Sequence, residues 1–433
     1  MAIGAASEQI SGADPTAGRP TYIDIFAGCG GLSLGLHRAG WRGVFAVEKD
    51  PFAFATLAAN FLTEDARYPF DWPKWLPKEP LTVETLLSEH REELLRLRGT
   101  VDLLAGGPPC QGFSSAGRRR GDDPRNSLIE RYLELVDVLQ PKILLLENVR
   151  GFTLDFRARP GAGYPNRENA AAQLARRLSS DYDVESQIMR ACDFGIPQKR
   201  PRFILVATRK GSGAKAGALQ GLPATGSLVL QSYGLKPTAS AEDAISDLEV
   251  SRNELVACSD SRGFQAIGYD VPLSQYQRVM RDGHVGPPSD TRLAKHTQAV
   301  RERFADIIEA CIREGRKSRQ LNVAMREKFG IRKMATRVLD RDLPAPTVTS
   351  MPDDLLHYSE PRTLTVRENA RLQTFPDWFV FCGKYTTGGH RRRFEVPRFT
   401  QVANAVPPLL AEILGVRLKR HCLGIGLEGR LAG

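Results

Sequence analysis

Several things are missing from these 433 residues, and each absence removes a class of protein. No run of about 18 apolar residues occurs, so no segment reads as a membrane-spanning helix. The opening stretch, MAIGAASEQISGADPTAGRP, has neither a basic start nor an apolar core. It reads as a disordered tail over residues 1–20 rather than a secretory signal, which points to a cytoplasmic protein. Seven cysteines (29, 110, 192, 258, 311, 382 and 422) are scattered with no C-x-x-C pair and no Cys/His cluster. Such spacing supports neither a disulfide framework nor a structural zinc site, and no metal is expected. The phosphate-binding pattern G-x-x-x-x-G-K-[ST] is absent, which weakens a nucleoside-triphosphate reading. There is no internal repeat.

What is present is an ordinary globular composition with a basic surplus. Hydrophobic residues make up 42% and charged residues 25%, and the formal net charge is +10. Length alone allows two domains, or one large domain with an insertion. The surplus favours a polyanionic partner, although many basic proteins are simply soluble.

The first 208 residues alternate strand-like and helix-like segments, the pattern of a doubly wound α/β domain. YIDIF (22–26) predicts a strand, a glycine-rich turn follows, and GLSLGLHRAG predicts a helix. GVFAVE (43–48) is the next strand. Asp50 then caps a helix with Pro51 at its first position. Residues 84–98 predict one amphipathic helix ahead of the strand VDLLAGG. LIERYLELVDVLQ is helical, with Ile129, Tyr132, Val136 and Leu139 on one face. The strands ILLLEN (143–148) and FILVA (203–207) complete the series.

After Thr208 this rhythm breaks. RKGSGAKAGALQGLPATG reads as an exit from the first domain, and residues 209–335 hold helix-like pieces (241–248, 292–314) among turns. Thr365 and Glu368 form a capping-box signal for VRENARLQTF. GKYTTGGHRRRF is loop-like and basic, and PPLLAEILGVRLKR predicts an apolar closing helix. That helix needs an apolar partner, which the helix after Gly31 offers through Leu32, Leu34 and Leu36.

Chemistry gathers at the carboxyl ends of the strands, where open α/β sheets bind ligands. Gly28 and Gly30 in FAGCGGLSLG begin a G-x-G, but Ser33 stands at the third dinucleotide position. Glu48 follows Gly28 by twenty residues, where an acid can bind ribose hydroxyls. This much indicates a nucleoside cofactor without separating a dinucleotide from S-adenosylmethionine; a tight turn packing a helix would look alike. Cys110 follows VDLLAGGPP, Glu147 and Asn148 follow ILLL, and Arg200 and Arg202 lead into FILVA. A nucleophile, an acid and two guanidinium groups thus converge on one edge. Lone cysteines are usually small buried apolar residues, so it is the convergence that carries weight.

The order FAGCGG, GGPPCQGFS, ENVRGF, QKRPR, RTLTVRENARLQTFPD and QVANAVPP resembles the DNA (cytosine-5)-methyltransferases. The likeness covers residues 21–208 and 361–416. It implies a mostly parallel class I S-adenosylmethionine-dependent methyltransferase sheet, Rossmann-like, with a smaller, irregular target-recognition domain. The corresponding division is a discontinuous catalytic domain at 21–208 and 395–433, and a target-recognition domain with hinge at 209–394.

For the site, the resemblance implies that Cys110 is the nucleophile toward carbon 6 of cytosine, with carbon 5 receiving the methyl group. The prolines would fix its geometry. Glu147 would hold N3 and the amino group, and Arg202 would stabilise developing negative charge with Arg200 beside it. The target base would have to leave the duplex. Phe26, Gly28, Gly30, Leu32, Glu48 and Pro108 would line the S-adenosylmethionine site, closed by Asn404 and Val406. Gln111, Ser114, Arg118, Arg119, Arg120 and Arg392 would face double-stranded DNA. The 118–120 run reads as a loop closing on phosphates or, failing that, as a solvated loop; for Arg391, Arg392 and Arg393 the two readings balance. The sequence departs from the family at PLTVETLL, where Thr82 stands in place of an acid near the adenine and Glu84 lies two residues on. A monomer on DNA, a bacterial or phage modification role and a restriction or defence partner are further implications. The rivals are an RNA cytosine methyltransferase and an inactive DNA-binding homologue; the large variable segment opposes the first, and Cys110, Glu147 and Arg202 oppose the second.

Overall fold

A computed structural model of the chain describes residues 18–108, 127–154, 169–269, 271–388, 391 and 394–426. Five strands build the sheet edge that matters: β1 (Thr21–Ile25), β2 (Arg42–Val47), β3 (Leu103–Gly106), β4 (Ile143–Val149) and, after β5 (Tyr182–Arg190) and the short β6 (Gln198–Lys199), β7 (Pro201–Arg209). The six-stranded sheet runs β2-β1-β3-β4-β7-β5. Its β2, β1, β3 and β4 are parallel, while β7 runs antiparallel to both β4 and β5.

The alternation of side chains along a strand explains the two cores. In β4, Ile143 and Leu145 enter one cluster while Leu144 and Leu146 enter the other. In β3, Leu103 and Ala105 split from Leu104 in the same way. One face is covered by α1 (Gly31–Arg38), and the other by α3 (Val83–Glu89), α4 (Arg91–Arg96), α5 (Ser127–Leu139) and α6 (Ala170–Leu178), with α2 (Pro51–Phe61) following β2. The doubly wound expectation therefore holds.

Local signals explain most boundaries. Asp50 accepts from the backbone N–H groups of Phe52 and Ala53 at 2.9 Å, with Pro51 at the first turn of α2. The single helix expected over 84–98 is two, because His90 (φ −124°, ψ 26°) leaves the helical region between α3 and α4. The polar strand β5 lacks an apolar pattern to announce it, being an edge strand with several exposed residues.

The remaining chain contributes α7 (Leu222–Ser232), α8 (Ala241–Ile245), the hairpin β8 (Leu255–Ala257) and β9 (Gln265–Ile267), α9 (Gln275–Arg281), α10 (Gln298–Arg313) and α11 (Val323–Lys328). Next come β10 (Arg337–Val338), β11 (Ala345–Pro346), β12 (Leu355–Leu356), α12 (Val366–Leu372), α13 (Arg398–Asn404) and α14 (Pro408–Arg417). The helix expected from 292 begins only at Gln298, because Thr297 caps it in an extended conformation. The capping box of Thr365 and Glu368 forms at the start of α12.

The closing helix α14 packs along α1, as its need for an apolar partner predicts. A Cβ built on Gly35 would lie 2.3 Å from Ala411 Cβ, so this glycine is what lets the two backbones approach. The stretch read as an exit from the first domain runs into α7, whose Leu222, Val229 and Leu230 join the same core as Leu410 and Ile413 of α14.

Candidate active site

Strand register builds the site. Ile25 of β1 pairs with Val47 of β2 and Gly106 of β3, and Gly106 pairs with Leu146 of β4. These four residues form one row across the sheet. The next residue along each strand is Phe26, Glu48, Gly107 and Glu147, four positions on one carboxyl edge.

Glycine is required where backbones crowd there. Gly106 has φ +148°, and a Cβ on Gly107 would meet the carbonyl oxygen of Glu147 at 2.0 Å. The adjoining turn has φ values of +57°, +58° and +92° at Phe26, Gly28 and Gly30. A side chain at Gly30 would strike the Phe61 ring at 2.5 Å, whereas the space beside Gly28 is open. Phe26 carries its positive φ without a glycine's freedom, an energetic cost located at this turn.

Glu48 is tied at both oxygens: Gly28 N–H donates at 2.9 Å and Asp50 N–H at 2.7 Å. Burial raises its pKa, opposed by those two donors. Asp24 sits beneath the turn, fully buried, and accepts from Ser33 Oγ at 2.5 Å. Burial pushes its carboxyl up to about 7, and its second oxygen, Oδ1, has no hydrogen-bond partner among the described residues. The sequence reading did not single out Asp24, although it lies in the quoted strand.

Glu147 and Arg202 are brought together across β4 and β7. Glu147 is registered with Ile204, so Arg202 is its diagonal neighbour, and Arg202 Nε lies 2.6 Å from Glu147 Oε1. Both side chains are nearly buried, at 9% and 13% exposed, so their ion pair is little screened. Asn148 is buried, and its Nδ2 donates to the Pro108 carbonyl at 3.0 Å. It thereby holds the last described residue before the Pro-Cys step.

Arg200, expected beside Arg202 near the base, is turned toward the end of α13 and the turn after it. It is 1% exposed and donates to the carbonyls of Ala403 and Ala405 at 2.7 and 3.1 Å. Its guanidinium braces the turn that carries Asn404 and Val406, which makes it a positioning residue. Asn404 is exposed and Val406 half-buried, with the Val406 carbonyl over Gly31, where a Cβ would meet it at 2.5 Å. Leu32, in the first turn of α1, is 4% exposed and part of the core. Cys110, Gln111, Ser114, Arg118, Arg119, Arg120 and Arg392 lie outside the described residues.

Thr82 is engaged as the cap of α3, its hydroxyl accepting from Thr85 N–H at 3.0 Å, while Glu84 is exposed on the first turn. Three buried glutamines were also missed by the sequence reading. Gln198 donates to Gln373, Gln373 donates to the Val402 carbonyl, and Gln401 accepts from Thr56 and donates to Cys382 and Val396. Each lies inside a quoted motif (QKRPR, RLQTFPD and QVANAVPP), and they bind the distant segments into one body.

The parallel sheet with its glycine turn and its acid at the second strand is a class I methyltransferase fold. The C-5 cytosine-specific DNA methylase family model matches residues 21–420. The type II methyltransferase M.DdeI of Desulfomicrobium norvegicum is 31% identical over 417 residues, covering 94% of this chain and 90% of that one. M.XorII of Xanthomonas oryzae pv. oryzae, also a type II methyltransferase, is 31% identical over 430 residues, with 93% and 85% covered. A solved candidate DNA modification methyltransferase encoded within an E. coli prophage superposes with a TM-score of 0.61 at 25% identity, covering 93% of this chain and 99% of that one. The chain belongs to the C-5 cytosine-specific DNA methylase family, and it is a DNA (cytosine-5-)-methyltransferase.

Proposed function

We propose that this enzyme methylates carbon 5 of a flipped-out cytosine in a specific double-stranded DNA site, through a covalent adduct with Cys110. The observation that carries the reading is the nearly buried Glu147–Arg202 pair, one residue beyond the row across the sheet and next in sequence to Asn148, which donates to the Pro108 carbonyl. An acid and a guanidinium held together on this carboxyl edge suit recognition of a cytosine edge.

The residues also fit S-adenosylmethionine. The open space at Gly28 leaves room for a ligand against the turn, and the carboxylate of Glu48 at the adjoining strand end supplies an acceptor for a hydroxyl-bearing nucleoside. Phe26, Gly28, Gly30, Glu48 and Pro108 would hold it, with Asn404 and Val406 at its rim and Leu32 behind. When bound, the cofactor supplies the methyl group.

Cytosine carbon 5 is a poor nucleophile, so the chain's own groups must activate it. The Cys110 thiolate forms a bond to carbon 6, and electron density moves to carbon 5. Glu147 holds N3 and the amino group and favours a proton at N3, while Arg202 keeps that carboxylate in place and stabilises charge at the base. After carbon 5 is methylated its proton leaves to a base, carbon 6 expels the thiolate, and the 5,6 double bond returns. The base is reached by flipping, because carbon 6 is covered in the stack.

The same reading assigns 21–208 and 395–433 to the catalytic domain and the intervening chain to target recognition, with α7 counted in the catalytic body because it shares the core of α14. Gln111, Ser114, Arg118, Arg119, Arg120 and Arg392 are assigned to DNA. A monomeric, cytoplasmic modification enzyme with a restriction or defence partner accords with the type II relatives. Bisulfite sequencing of DNA from cells expressing the chain tests it, reporting activity and site together. Cys110→Ala should abolish the signal; methylation above about a hundredth of the normal rate would exclude the adduct.

A further inference from the structure

The basic surplus of this chain is concentrated. Residues 313–337 contain nine Arg or Lys against two Glu, a local excess of +7 in a chain whose total is +10. This segment belongs to a small lobe with its own core, in which Phe304, Ile307 and Ile308 of α10 meet Leu321, Met325 of α11, and Val338 of β10. The core accounts for the lobe's apolar residues and leaves its cations outside.

Some of those cations are engaged locally. Arg313 approaches Glu309 at 3.7 Å, Lys333 bonds to Asp353, and Arg316 donates to the Gln320 carbonyl at 3.1 Å. Lys317, Arg319, Lys328 and Arg332 make no ion pair among the described residues; the last three are exposed and Lys317 is half-exposed. A solvated face is the usual fate of such charges. Like charges this dense repel one another, however, and a bound polyanion relieves that repulsion more than dilute salt does.

The lobe's connection places it beside the reaction site. Seven residues beyond Val338, the chain pairs Ala345 and Pro346 with Gln198 and Lys199. Thr347 Oγ1 donates to the Lys199 carbonyl at 3.0 Å, and Val348 N–H to Gln198 Oε1 at 3.0 Å. Arg200 and Arg202 follow immediately. A seven-residue tether spans at most about 25 Å. That is less than one turn of B-DNA, roughly 34 Å.

We infer that the helical lobe at 298–338 grips the phosphates of the duplex flanking the methylated site, through Lys317, Arg319, Lys328 and Arg332, without reading sequence. Phosphate contacts position a protein on DNA and carry no sequence information, so within the target-recognition segment the lobe contributes affinity and salt dependence while site choice lies in the rest of that segment. The inference rests on the DNA-methylating reading, but its test does not use methylation.

The probe is a random-sequence 40-base-pair duplex, whose affinity is measured across a salt series for the wild-type chain and for K317Q/R319Q/K328Q/R332Q. The slope of log K against log salt should become shallower by about 3 to 4, near 0.9 per lost phosphate contact. The charge-retaining variant K317R/R319K/K328R/R332K should keep the wild-type slope, which separates loss of charge from damage to the lobe. Bisulfite sequencing should show the neutral variant marking the same sites as the wild type. An unchanged slope, a shallower slope in the charge-retaining variant, a changed target site, or lobe-dependent binding that is tighter to an RNA duplex would each overturn the inference. Absence of methylation by the wild type would instead count against the catalytic reading, whatever the slope.

Discussion

Arg202 Nε lies 2.6 Å from Glu147 Oε1 across the β4–β7 pair, and neither side chain is more than 13% exposed. An ion pair this sheltered is costly to break, because the survivor is a buried uncompensated charge. Glu147→Gln keeps the shape but loses the charge that favours a proton on cytosine N3. The rate constant of the methylation step should fall about 10²- to 10⁴-fold, with cofactor affinity changed little. Single-turnover kinetics on a methylatable duplex measure this; a loss below threefold would remove Glu147 from the chemistry.

Asn148 offers a separable test. Its amide donates to the Pro108 carbonyl from a buried position, so Asn148→Ala leaves that carbonyl without its donor. A lost buried hydrogen bond of about 1–3 kcal/mol corresponds to a rate loss of roughly ten- to a hundredfold if it falls on the Cys110 approach. The expected signature is a lower kcat with a nearly unchanged KM for S-adenosylmethionine. A change confined to KM would place the effect at the cofactor instead.

The sequence made the strand ends legible because period-two apolar runs, glycine turns and a proline at a helix start are local signals. Glu48 and Glu147 could be placed by counting from strand ends, and the register puts them on a common edge. Arg200 was legible as a site residue but not in its orientation, since its partners Ala403 and Ala405 are two hundred residues away. Gln198, Gln373 and Gln401 were invisible for the same reason: a buried glutamine is recognisable only once its distant carbonyl partners are assembled. The break at His90 and the polar edge strand β5 have no periodic signature at all.

Part of the acid sensitivity should come from His37, as further parts should from the buried His357 and the half-buried His296. His37 is buried among the rings of Tyr22, Phe61, Tyr68 and Phe70. Its Nε2 has no hydrogen-bond partner among the described residues, and burial, helped by Arg19, pushes its pKa down to about 3. The unfolded chain therefore binds this proton more readily, and stability falls as pH drops from about 6.5 toward 3. Asp24 acts in the opposite sense: its folded pKa of about 7 means that its contribution is greatest in acid and is lost as pH rises through 7. Between about pH 4 and 6.5 the two oppose each other. His37→Phe should remove the acid-weakening contribution of this residue, so its melting temperature should gain relative to wild type by a few degrees at pH 5 compared with pH 8. Parallel pH profiles for the two proteins would contradict this assignment.

The last prediction concerns the joint between the two ends of the chain. α1 follows the cofactor turn, and α14 closes the described core nearly four hundred residues later, yet the two helices lie together. Gly35 is the contact that permits it. A Cβ there would meet Ala411 Cβ at 2.3 Å, the Pro408 carbonyl at 2.4 Å and the Glu412 backbone nitrogen at 2.6 Å. Two of those three atoms are backbone, so no rotamer change relieves the clash. The helices must separate, at a cost of about 1–3 kcal/mol for overpacking a dense core. Separation also moves the turn before α14, whose Val406 carbonyl rests over Gly31. Gly35→Ala should therefore lower the melting temperature and, at a temperature where it remains folded, raise the Kd for S-adenosylmethionine severalfold. Gly426→Ala is the matched control, since nothing lies within 4 Å of the added carbon and its φ is not positive. Calorimetry and isothermal titration on the two variants measure both effects. If Gly35→Ala is destabilised while its cofactor affinity equals that of Gly426→Ala, then α14 only fills the core, and the assignment of Asn404 and Val406 to the cofactor rim fails.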